Sequence, residues 1–159
     1  MEKILEHQVR IIQLLSRYEK TVGDLYHIYS ERFDCESVFW GDLADAEDRH
    51  SSLLEMISLK MTPQHIFHNL SEFSEENIKK HIGYLEKKIE KVQNSSVKEF
   101  SLKDALRDAL ETEASILEAH FYDIAVSDMK EFHLVASILK KETRLHAKQI
   151  ENKMVEYFS

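Results

Sequence analysis

From Leu5 onward the apolar positions recur at steps of three or four: Leu5, Val9, Ile12, Leu15, then, after Glu19, Val22, Tyr26, Tyr29 and Phe33. That spacing is one stripe of an amphipathic helix, and it predicts a first helix from about Glu2 to Phe33. The segment DCES, 34–37, breaks the pattern, and Asp34 or Ser37 can cap the next helix. A second stripe, Leu43, Glu47, His50, Leu54 and Ile57, predicts a helix from about Ser37 to Leu59. So short a break makes the pair an antiparallel hairpin.

The pattern thins between 61 and 100. MTPQHIFHNLSEF holds the only Pro and reads as a crossing loop. Ser74 is then a suitable N-cap, with Glu75 and Glu76 where the helix dipole favours acids. Asn77 stands where a capping box would need Glu or Gln. Ile78, Ile82, Leu85, Ile89 and Val92 make a narrow stripe, as expected of a peripheral crossover helix. Two further helices are predicted, from about Ser101 to Ala125 and from Asp128 to Phe158. On the first, Leu102, Leu106, Ala109, Leu110, Leu117 and Ile124 define a face with Glu113 and His120 near its centre. Glu111 and Glu118 point away, although Glu111 takes the place of Glu113 if the helix is rotated. On the last, Val135, Ile138 and Leu139 lead to Glu142, Leu145, His146 and Ile150.

The expectation is a single all-α domain over 1–159: two hairpins joined by a long crossover that contains an extra helix. A four-helix bundle connected in that way has the ferritin-like topology. Composition agrees, because three Gly and one Pro leave little material for sheet turns. The net charge of −8 argues against nucleic acid and anionic membranes as partners. The single Cys35 excludes an internal disulfide framework and a four-Cys metal site. The amphipathic start and the lack of a long apolar run point to a soluble, cytoplasmic protein.

The polar residues inside the stripes then need an explanation. Burying a lone carboxylate is costly unless it is paired, protonated or bound to metal. Yet four stripes each carry one Glu (Glu19, Glu47, Glu113 and Glu142), and the second and fourth add His50 and His146 about one turn on. The halves echo each other, with Glu19 preceding Glu47 by 28 positions and Glu113 preceding Glu142 by 29. Six such donors suit two divalent transition-metal ions, with carboxylates to bridge them and imidazoles well matched to iron.

YEKTVGDLY (18–26) with LADAEDRHSSLL (43–54) resembles the first half of the rubrerythrin-type di-iron domain. In that family a Glu is followed seven positions later by Tyr, and the next helix carries Glu-x-x-His. Glu19, Tyr26, Glu47 and His50 fit this pattern, and the likeness extends weakly over the second hairpin. The resemblance implies two iron ions held by Glu19, Glu47, His50, Glu113, Glu142 and His146. It also implies reduction of hydrogen peroxide or dioxygen, and a homodimer. Tyr26 is either plain core or a hydroxyl that donates a hydrogen bond or an electron to the centre.

The second half departs from the family. KKETRLHAKQI places His146 four residues after Glu142 rather than three, turning it about 100° further round the helix. A local widening near Thr143, of the π-bulge kind, would absorb the extra residue. His120 stands where the first half has Tyr26, as a neighbouring donor or added ligand, and Ile116 replaces the extra glutamate some rubrerythrins carry. The four-Cys rubredoxin module is missing, so electrons would come from a separate protein. The competing readings are iron storage without turnover and a helical interaction module with a degenerate site. His65 and His68 are candidates only for adventitious metal.

Overall fold

The computed structural model describes residues 2–63, 74–114 and 129–158, which are all-α with no strand among them. The helices are α1 (Glu2–Arg32), α2 (Ser37–Lys60), α3 (Glu75–Gln93), α4 (Leu102–Glu113) and α5 (Lys130–Phe158), with a 3-10 turn, Asp34–Glu36, between α1 and α2. The expected boundaries of the first hairpin hold to within one residue. The expected continuation of α4 to Ala125 lies outside the described residues, as do Ile116, His120, His65 and His68.

Side-chain partners fix the directions of the helices. Ser16 Oγ donates to the Ser51 carbonyl at 2.7 Å, Lys20 meets Asp48 at 3.1 Å and Ser30 Oγ donates to the Ser37 carbonyl at 2.8 Å, so α1 and α2 are antiparallel. The pairs Glu36–Lys153, Glu47–His146 and His50–Glu142 make α2 antiparallel to α5. Lys103 and Arg107 lie over the Phe158 ring and Glu113 faces His146, which sets α4 antiparallel to α5. Tyr26 meets Glu113 while Tyr29 stacks on Phe100, so α4 also runs against α1. Helix α3 runs with α1, since Arg10 pairs with Glu75 and Arg17 with Glu86.

One core joins these helices. Ile12, Leu15 and Val22 of α1, Leu54 and Ile57 of α2, Leu106 and Ala109 of α4, and Leu139 and Ile150 of α5 are buried in it. Each such large apolar side chain contributes roughly 1.5–3 kcal/mol on removal from water. Helix α3 adds Ile78, Ile82, Leu85 and Val92 against the outside of α1, as its thin stripe predicts. Its start is capped by Ser74 Oγ, which accepts from the Asn77 amide at 3.0 Å. Arg32 then ties the far end of α1 to the α3–α4 connection, donating to the carbonyls of Val92 and Ser96 at 3.0 and 2.6 Å. Helix α4 opens on a full capping box between Ser101 and Asp104. A search for Glu or Gln at the third helical position passes over it, because the shorter Asp fills the role.

Candidate metal centre

The stripes converge where the sequence places their acids. Glu19 on α1, Glu47 and His50 on α2, Glu113 on α4 and His146 on α5 are all at most 5% exposed. Glu111 is exposed, so Glu113 is the α4 residue that faces inward. Two compact donor groups result: Glu19, Glu47 and His50, and Glu47, Glu113 and His146, with the ligand atoms of each within 4.8 Å of one another. Glu47 belongs to both. Its Oε2 lies 3.3 Å from His50 Nδ1 and its Oε1 lies 3.3 Å from His146 Nδ1, so its two oxygens face the two imidazoles. The two imidazole rings are nearly parallel, 5.8 Å apart with 19° between their planes.

Glu142 occupies a different position. Its side chain is 31% exposed, and its Oε2 sits 2.5 Å from His50 Nε2. It closes the centre from the outside, next to a cleft of about 380 Å3 lined by Leu43, Ala46, Arg49, Leu145 and His146. Helix α5 shows no widening at Thr143 and is regular α from Lys130 to Phe158. The four-residue spacing is therefore met by rotation: His146 points into the core and Glu142 swings to the rim.

Tyr26 is fully buried and its hydroxyl donates to Glu113 Oε1 at 2.9 Å, which gives it a part in the centre beyond packing. Behind it Trp40 lies 5.6 Å from the Tyr26 ring and 4.8 Å from that of Tyr29, forming an aromatic wall. Burial pushes the Tyr29 phenol up, and its hydroxyl has no hydrogen-bond partner among the described residues.

The donor set suits divalent cations. Burial by itself would lower the His146 pKa, but the Glu113 and Glu47 carboxylates, 3.5 and 3.3 Å from Nδ1, outweigh it and push the imidazole up to about 10. Three buried carboxylates, Glu19, Glu47 and Glu113, make the site favourable to positive charge. Glu113 Oε2 is buried without a hydrogen-bond partner among the described residues, and His146 Nδ1 and His50 Nδ1 make only long, poorly aligned contacts to carboxylate oxygens. Three carboxylates and two imidazoles around one interior point match what borderline divalent ions bind.

No protein-family model matches the chain, and no curated protein or solved structure matches it.

Because the folded pKa of His146 lies above the ordinary 6.5, its protonation stabilises chelator-stripped protein fully below about pH 6.5 and that contribution is lost as pH rises through about 10. Urea melts of stripped protein should therefore show falling stability between these pH values, and His146→Gln should flatten the fall. A metal ion held by His146 would displace the same proton, so its uptake should release protons and tighten as pH rises.

Proposed function

We propose that the chain is a ferritin-like four-helix bundle of the rubrerythrin type, without a rubredoxin module, which binds two iron ions and reduces hydrogen peroxide or dioxygen. The observation that carries this reading is Glu47, shared between two donor groups whose other members come from α1, α2, α4 and α5. The helix directions, with α1 and α5 running against α2 and α4, agree with a hairpin–crossover–hairpin bundle. The family part of the reading rests on Glu19, Tyr26, Glu47 and His50.

In this reading Glu19, Glu47 and His50 would hold one ion and Glu47, Glu113 and His146 the other. Iron would supply one electron per ion, and reduction of a peroxide to water takes two. Tyr26 fixes Glu113 through its hydrogen bond, which keeps the carboxylate turned toward His146. The fully buried rings of Tyr26 and Tyr29 on α1 and of Trp40 on α2 would keep water from that side of the centre. The cleft beside Glu142 leaves the α2–α5 side open to a small molecule. A separate protein would deliver electrons. The exposed Leu134 and Val155 of α5 supply apolar surface for the proposed homodimer, which light scattering would detect as a doubled mass.

Five buried donors, with Glu142 at the rim, favour a working site over a degenerate helical module. Storage without turnover would need a large shell, and the particle mass separates it from a dimer. The deciding experiment loads stripped protein with ferrous iron anaerobically, removes the excess and adds hydrogen peroxide with a chemical reductant. Wild-type protein should consume peroxide over many turnovers, and Tyr26→Phe should slow this at unchanged iron content. Equal consumption by Glu47→Ala protein loaded and washed in the same way would assign the chemistry to iron held outside this site.

A further inference from the structure

Outside the buried centre one other group of side chains has metal-ligand spacing among the described residues. His27 of α1 and Asp45 and Asp48 of α2 place one donor atom each within 4.8 Å of one another on the outer face of the first hairpin. We propose that these three form a second, solvent-accessible site for a divalent transition-metal ion of the zinc type. This site does not depend on the function proposed for the interior.

The imidazole separates the group from a bare acidic patch, because a neutral His nitrogen with two carboxylates is a donor set zinc favours. Its geometry is close to what an ion requires. His27 Nε2 and Asp48 Oδ2 are 2.9 Å apart. Two donors at zinc-ligand distances on a tetrahedral ion stand about 3.3 Å apart, so a few tenths of an ångström of opening admit the ion between them. The side chains of His27 and Asp48 are 43% and 33% exposed, which gives the ion access and leaves room for water as a fourth ligand.

Two features of α1 support the arrangement. Gly23, one turn before His27, lies under the Asp48 carboxylate, where an added Cβ would meet Oδ1 at 2.6 Å. The absent side chain lets Asp48 lie flat against α1 beside the imidazole. Lys20 then places its ammonium 3.1 Å from Asp48 Oδ1 and 3.3 Å from Asp24 Oδ1. A cation is thus already held at this carboxylate. Lys20 keeps Asp24 as a partner on its own helix when it leaves Asp48, so an ion that replaces it breaks one exposed ion pair. Lys20 is a built-in competitor for the site.

The test is calorimetric titration of stripped, full-length protein with zinc alone, for wild type, His27→Ala, Asp48→Asn and Lys20→Ala. All three positions lie toward the surface, so the variants should fold. The expected result is a zinc equivalent that His27→Ala and Asp48→Asn remove while the remaining binding is unchanged. Lys20→Ala should tighten that equivalent by about two- to fivefold, the size of an exposed ion pair. A wild-type isotherm that His27→Ala leaves unaltered would overturn the proposal, showing adventitious surface zinc only, as would weaker binding in Lys20→Ala. Failure of the buried centre reads differently: wild type would then retain only the equivalent that depends on His27.

Discussion

Glu47→Ala should abolish tight binding of both metal ions at once, whereas Glu19→Ala and Glu113→Ala should each cost one. Glu47 is common to the two donor groups, while Glu19 belongs to the first and Glu113 to the second. His50→Ala and His146→Ala should likewise remove one ion each, since each imidazole faces a different Glu47 oxygen. Removing the shared carboxylate leaves two protein donors on either side, too few to hold an ion against water. The variant should stay helical by circular dichroism, because alanine is the strongest helix former and the substitution takes a charge out of the core. Retention of one tight ion by Glu47→Ala would show that the two groups are not joined through this residue. Anaerobic ferrous titration of each variant reads the result directly.

Metal should also raise thermal stability by a large margin. Stripped protein keeps three carboxylates inside one small volume, and a bound cation relieves that repulsion only in the folded state. At a free metal concentration a thousandfold above Kd, one ion contributes about 4 kcal/mol. For a chain of this size that converts to roughly 8–16 °C in Tm per ion, at about 2–4 °C per kcal/mol. Scanning calorimetry of stripped protein with and without ferrous iron under anaerobic conditions checks the shift. Glu47→Ala should show almost none of it, and an equal shift in that variant would place the stabilising metal elsewhere.

Helical periodicity made much of this arrangement readable from the chain. The steps of three and four that run Leu15, Glu19, Val22, Tyr26 and Leu43, Glu47, His50, Leu54 require the acids to share a face with core residues, and they do. The same arithmetic separates Glu113 from Glu111, which lies about 200° away around the helix. Periodicity gives the face of a residue and leaves its depth open. Glu142 is on the inward stripe yet ends at the rim, because rotation of α5 favours the His146 ring over the Glu142 carboxylate for the interior place. The partner of Tyr26 was equally out of reach, since Glu113 is 87 positions away on a helix whose register only packing determines. The His27, Asp45 and Asp48 group gave no signal, because its members lie off the apolar stripes and meet across two helices. The Gly23 contact is also tertiary: a glycine inside a helix ordinarily signals only a loss of stability.

The central claim, that two ions share Glu47, is tested most directly by anaerobic titration of stripped wild-type protein with ferrous iron. The protein should be purified without a metal-affinity tag, and bound metal counted against protein mass. The account predicts saturation at two tightly held ions per chain. No saturable uptake, or saturation at a single ion, would contradict it.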